Sequence, residues 1–207
     1  MTAFVVVTSV VAAYPVAAFE TTFNFDSVPS GSLANTIAKD GISFQPAAFL
    51  PNVDASGSAI PGSDSWKTDP LGDPVTVSNP EGFGRGAAPS PQNALNALFQ
   101  PVLVQFSSPQ LIRSFSLSLD NDRFGDPSAS IGLFDAADRR LAEVSIDQTL
   151  PGSFVVAEGD WNGVSKLVLP AGAFYDNLSV SSIPEPGPAT IGFLGALLLA
   201  AHRRSRR

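Results

Sequence analysis

LIRSFSLSLD, residues 111–120, decides the fold. Phe115, Leu117 and Leu119 recur at every second residue, with Ser114, Ser116 and Ser118 between them. In an extended chain successive side chains point to opposite faces, so one face is apolar and the other carries hydroxyls. An amphipathic helix needs apolar residues three and four apart, a spacing this stretch lacks. It predicts a half-buried antiparallel strand, with the apolar face on a core and the serines toward solvent.

The same period spreads outward along the chain. TTFNF (21–25), GISFQP (41–46), PVLVQF (101–106), SASIGLF (128–134), LAEVSI (141–146), SFVVA (153–157), VSKLVL (164–169) and FYDNLSV (174–180) read as further short strands. Turn residues separate them, and DAADRR (135–140) links two as a hairpin. No helical periodicity of useful length interrupts them. Many short strands with one apolar face each predict an all-β protein, a single antiparallel two-sheet β-sandwich over residues 19–181. Residues 46–101 are rich in Gly, Pro, Ser and Asp and read as a long surface loop, with one short strand over Pro74–Ser78. Long loops in compact domains are often functional. Trp66 lies in this loop and is the candidate ligand residue, an aromatic face on which a sugar ring can stack. Trp161, just before VSKLVL, is expected to pack against the edge of the core.

Charge and chemistry narrow the function. All 19 acidic residues and eight of the 12 basic ones lie between Glu20 and Glu185, a net charge of −11. RRSRR at the end carries +4, giving −7 overall. An acidic body repels nucleic acid and anionic lipid. There is no cysteine, and the one histidine, His202, sits beside the terminal arginines. The body therefore holds no Ser-His-Asp triad, no thiol nucleophile and no His or Cys for zinc. No phosphate loop or dinucleotide fingerprint occurs. The protein is expected not to be an enzyme; the alternative from that class is a glycan-processing enzyme working through two carboxylates. The cluster DNDRFGD, with Asp120, Asp122 and Asp126, has the composition of a calcium loop without EF-hand spacing, and reads as a polar turn between strands.

The two ends read as addresses. Residues 1–18 combine an apolar stretch, the Tyr14-Pro15 break and small residues before a cleavage site expected after Ala18. That is a signal peptide, although no Lys or Arg precedes the apolar run. At the other end, residues 182–207 hold Pro184-Glu185-Pro186, an uncharged segment expected to form a short transmembrane helix over 188–201, and Arg203, Arg204, Arg206 and Arg207. A helix of that length spans roughly 21 Å, short of a bilayer's ~30 Å core. The arginines act as a membrane stop and can snorkel to lengthen the span.

The tail IPEPGPATIGFLGALLLAAHRRSRR (183–207) resembles the PEP-CTERM sorting signal of exported bacterial proteins, all three parts occurring in register. The resemblance implies export through the inner membrane and transient anchoring there. An exosortase, a membrane protease-transpeptidase, then recognises Pro184, Glu185 and Pro186 and delivers the protein to the cell surface or extracellular matrix. In the body, FNFDSVPSG (23–31), DGISFQP (40–46), PSPQNAL (89–95), FSSPQLIRSFSLSL (106–119), IGLFDAADRRLAEVSI (131–146) and FYDNLSV follow one another in an order that resembles other PEP-CTERM proteins. Their bodies look like the galactose-binding-like jelly roll of carbohydrate-binding modules. One departure stands at Asp138-Arg139, where such proteins commonly carry Gly-Asn. The resemblance implies a structural or adhesive role with polysaccharide as partner. It also implies a structural calcium near the first and last strands, for which Asp26 and Asp176 are the candidates. Adhesion to ice or another surface is a further alternative, disfavoured by the lack of regular Thr-x-Thr ladders.

Overall fold

The computed structural model describes residues 19–80, 93–121, 125–150 and 152–184. Apart from a 3-10 turn at Ala34–Thr36, these are strands and loops. The strands are β1 (Phe19–Phe23), β2 (Ile42–Leu50), β3 (Ser65–Thr68), β4 (Thr76–Ser78), β5 (Ala94–Ala97), β6 (Val102–Asn121), β7 (Ser130–Phe134), β8 (Arg140–Ser145), β9 (Ser153–Leu169) and β10 (Ala173–Pro184). Every strand pair is antiparallel. The lateral order is β4-β5-β10-β6-β9-β7-β8, with β1 also on β10, β2 also on β6 and β3 on β2. The protein is an all-β antiparallel sandwich, as its alternation implies.

Its two walls are parts of one bent sheet. PVLVQF and LIRSFSLSLD are not separate strands but one strand of 20 residues, β6. SFVVA and VSKLVL likewise merge into the 17-residue β9. The β6–β9 ladder slips register between Gln105 and Ser114, at three successive irregularities. Bulges let a strand turn a corner without ending. On one side of the bend Val102–Gln105 pairs with Lys166–Leu169 of β9, and Val102–Phe106 with β2. On the other side Ser114–Leu119 pairs with Ser153–Glu158 of β9, and Gln110–Asn121 with β10. Short-range patterning sees the break at Ser107-Ser108-Pro109 and cannot see that pairing resumes beyond it.

The core fills the space between the walls. Phe115, Leu117 and Leu119 are all buried, as the opening stretch requires. Phe23 and Phe25 from the β1 side meet Phe44 of β2 edge-on, with ring centroids 4.8 and 5.6 Å apart. Aromatic pairs of this geometry add about 0.5–1.5 kcal/mol beyond burial. Trp161 lies within β9 and packs on the core through Phe115, at 5.9 Å.

The segment read as a loop, 46–101, contains the end of β2 and all of β3, β4 and β5. The short strand expected over Pro74–Ser78 is β4. The other two escape notice because each has four residues and its period is obscured by flanking Gly, Pro and Asp. Trp66 therefore stands on a strand, not in a loop. The signal peptide 1–18, Glu185 and Pro186 of the sorting motif, the apolar segment 188–201 and Arg203, Arg204, Arg206 and Arg207 lie outside the described residues. Pro184 ends β10. Among the described residues no helix is long and apolar enough to cross a membrane.

Phe44 is fully buried and bridges both walls. Phe44→Ala should lower the unfolding free energy by about 3–5 kcal/mol. A urea titration checks this: a midpoint within error of the wild type would show that the walls do not depend on the aromatic contact.

Candidate functional site

The outer face of the β2–β6–β9–β7 wall carries a second, small apolar cluster of Ala47, Leu103, Phe134 and Val168, covered by Trp66. These residues alternate with core residues on their own strands, so the sheet is apolar on both faces here. Trp66 is positioned by the β2–β3 pairing, where it sits directly opposite Phe49, with ring centroids 5.4 Å apart. Lys166 of β9 fastens β3 down: its Nζ donates to Trp66 O at 2.6 Å and also pairs with Asp138.

Between Trp66 and the β7–β8 hairpin lies a cleft of about 240 Å³. Its lining includes Trp66, Gly132 and Phe134 as apolar surface, and Ser130, Arg140 and Glu143 as polar groups. A Cβ on Gly132 would stand 2.5 Å from Phe134 Cε2, so the glycine is what lets the phenyl ring lie back across its own strand. Arg140 Nη1 holds Glu143 Oε2 at 2.7 Å, and Ser130 Oγ donates to Glu143 Oε1. Glu143 thus has both oxygens engaged and stands fixed at the cleft rim. The volume is below the roughly 300–1,000 Å³ of pockets for drug-sized ligands. It suits one ring-sized unit, with aromatic faces for its carbon side and charged groups for its hydroxyls.

The hairpin that shapes this cleft is set by Asp135 and Asp138. Asp138 takes φ 64°, the left-handed conformation that glycine usually supplies. Asp135 N donates to Arg139 O at 3.0 Å and closes the turn. Asp135 Oδ1 accepts from Ala137 N and Arg139 N at 2.8 and 2.9 Å, and Oδ2 from Arg139 Nε at 2.7 Å. Burial of the carboxylate raises its pKa, but these bonds and the Arg139 charge outweigh it, leaving Asp135 below the ordinary carboxylate value.

The calcium candidates fall at another corner. First and last strands are neighbours, Phe23 pairing with Leu178. Asp176 is fully buried within β10; its Oδ1 accepts Phe25 N at 3.0 Å, and Asn177 Nδ2 donates to Oδ2 at 3.4 Å. Asp26 follows β1 and accepts Asn93 N at 3.2 Å. Sequence order thus brings both carboxylates to the β1–β10 corner, each tied to a backbone N–H. Among the described residues, no three His, Cys, Asp or Glu gather into one group. In DNDRFGD, Asp126 closes a turn by accepting Ser128 N and Oγ at 2.8 Å, which lowers its pKa; Asp122 and the Asp120 side chain lie outside the described residues.

Of the cleft residues, sequence reading singles out Trp66 alone. Ser130, Gly132 and Phe134 do show the period of two along β7, but no local signal says which face of that strand meets a ligand.

No family model matches the sequence, and no curated protein matches it. Similar solved structures include three variants of a family 29 carbohydrate-binding module. One is 11% identical, with a TM-score of 0.37 over 80% of this chain and 92% of that one. A second, complexed with cellulohexaose, is 14% identical with a TM-score of 0.37 over the same shares. A third, complexed with mannohexaose, is 13% identical with a TM-score of 0.36 over 80% and 93%.

A group whose folded pKa is depressed stabilises the fold above its unfolded value and loses that contribution as pH falls through the folded one. Asp135 should therefore hold the β7–β8 hairpin fully above about pH 4 and release it below. The protection of the Ala137 and Arg139 amides against hydrogen exchange, taken relative to the intrinsic rate at each pH, should fall on acidification in the wild type. In Asp135→Asn it should be low already at neutral pH; unchanged protection in the variant would remove Asp135 as the hairpin's anchor.

Proposed function

We propose that this chain is an exported, non-catalytic polysaccharide-binding protein of the cell surface or extracellular matrix. The observation that carries the reading is the Trp66 cleft, where two aromatic side chains and a fixed Arg140–Glu143–Ser130 group face one ring-sized space. Sugar rings present an apolar face and a fringe of hydroxyls, and this lining offers a counterpart to each. Among the described residues that line the cleft there is one carboxylate, Glu143, where hydrolysis by paired acids needs two. A binding role is therefore favoured over glycan processing.

The finer parts of the reading rest on the sequence. Pro184-Glu185-Pro186, the apolar segment and the terminal arginines support recognition by an exosortase and transient anchoring in the inner membrane. A structural calcium at Asp26 and Asp176 is supported by the β1–β10 pairing and by an oxygen-rich corner to which Asn24 and Asn177 also belong. Calcium takes six to eight oxygens, so backbone carbonyls would complete the set. Titration with calcium chloride alone should give binding heat and a higher Tm; an unchanged Tm and no heat would remove the ion.

The binding reading is checked by co-sedimentation with insoluble polysaccharides, with soluble sugar assayed in the supernatant. Retention without sugar release is expected. Trp66→Ala should weaken it by about 2 kcal/mol, roughly 30-fold in Kd. Glu143→Ala, at the exposed rim, should weaken it with little change in Tm. Release of soluble sugar would make the protein an enzyme, and full retention by both variants would move the site elsewhere. Sorting is checked by intact mass and location in the native host with Pro184, Glu185 and Pro186 replaced by Ala. Loss of the tail in the wild type, and its retention at the inner membrane in the variant, is the expected pair.

A further inference from the structure

β6 has a second face. Ser114 and Ser116 of β6 point away from the core, and the pairing extends them into two rows across four strands. One row runs Glu20 (β1), Ser181 (β10), Ser114 (β6), Glu158 (β9). The next runs Thr22, Ser179, Ser116, Val156 in the same strand order. At about 4.8 Å per strand the rows extend roughly 14 Å. Because the central side chains are serines, the surface dips into a groove of about 200 Å³. Phe154 and Val156 form its β9 wall, 61% and 58% exposed, and place two large apolar side chains side by side on the outer face.

We infer that this groove is a second polysaccharide site, which takes an uncharged glycan chain lying across the strands and makes the protein a cross-linker of glycan chains. The inference deepens the proposed polysaccharide-binding function and rests on it. Three features fix the ligand class. Among the described residues, the hydroxyls of Ser114, Ser116 and Ser181 make no hydrogen bond within the protein, whereas Ser179 bonds Thr22 and Glu20. The floor thus offers free donor-acceptor groups at regular spacing. Phe154 supplies a flat apolar surface at one end, suited to the carbon face of a sugar. Charge excludes anionic chains: Glu20 and Glu158 bound the groove, while the basic residues on its strands, Arg113 and Lys166, are held by Asp160 and Asp138. The carboxylates are good acceptors for neutral hydroxyls and repel uronates, phosphates and sulfates.

The two sites face opposite ways. The Trp66 cleft lies on the outer face of the wall that contains the start of β6 and the end of β9; the serine groove lies on the outer face of the other wall. One molecule therefore reaches two glycan chains, and on a dense polysaccharide both sites act together with avidity.

The test is a bridging assay with the full chain. Protein is first bound to an insoluble neutral glycan from a panel of amorphous cellulose, insoluble β-1,3-glucan and mannan. Capture of a fluorescent, soluble form of the same glycan is then measured. Wild type should capture it. Phe154→Ala and Ser116→Trp, which remove the wall and fill the groove, should each abolish capture and lower apparent affinity for the insoluble glycan by roughly 100-fold, while single-site binding through Trp66 persists. Both positions are solvent-facing, and an unchanged Tm confirms that the fold is kept. Binding and bridging at wild-type level in both variants would overturn the groove and leave the Trp66 cleft standing. Loss of all binding in Trp66→Ala would also overturn the groove as an independent site. Persistence of binding in Trp66→Ala, and its loss in the groove variants, would support the groove and remove the cleft. A wild type that binds no member of the panel would overturn both.

Discussion

The long antiparallel pairing of β6 with β9 is the constraint on which the rest depends. These two strands belong to both walls, and their register slips between Gln105 and Ser114 are where the sheet bends. Removing the bend would leave a flat, two-faced sheet with no enclosed volume for Phe23, Phe25 and Phe44. With it, Val102 and Val104 on one side and Phe115, Leu117 and Leu119 on the other point into a common interior. The hydrophobic effect has no direction of its own. The bulges give it one here, by deciding which residues of each strand are inward.

The same two strands place both grooves. β9 contributes Val168 to the Trp66 cleft and Phe154, Val156 and Glu158 to the serine groove. The outer faces differ because their partners differ. Near the start of β6, the β2–β3 hairpin folds over the sheet and covers Leu103 with Trp66, leaving a pocket between aromatics. Farther along β6, at Ser114 and Ser116, small side chains leave a shallow, hydroxyl-lined channel. Lys166 ties the covered side together through Trp66 O and Asp138.

Buried polar groups are mostly used to fix corners. Gln148, fully buried, donates to Ala171 O and Tyr175 Oη, and Tyr175 Oη donates to Pro170 O at 2.7 Å. Asp176 holds Phe25 N from the neighbouring strand. A buried acceptor or donor left without a partner costs about 1–3 kcal/mol, so these contacts set the path of the chain between strands more firmly than loop sequence does. They also explain why a chain without cysteine can hold long connections in place.

By itself the sequence determined the class of fold, because a period of two with one apolar face is a local property that survives any arrangement of strands. It determined the hairpin at 135–140 and, through its His and Cys content, the lack of a Ser-His-Asp triad or a His/Cys zinc site in the body; it put Asp26 and Asp176 beside the first and last strands, and only the β1–β10 pairing makes those strands neighbours. It did not reveal that four stretches are two long strands, because a bulge looks locally like an ending. It placed Trp66 in a loop, because a four-residue strand has too few repeats to show its period. Phe134, Arg140 and Glu143 were silent for a different reason: which face of β7 and β8 meets open space depends on β3 folding across from 65 residues away in the chain. Distances along the sequence carry no information about such an approach. Only the closed sheet, with its bend at residues 105–114, decides which serines face water and which aromatics face a cleft.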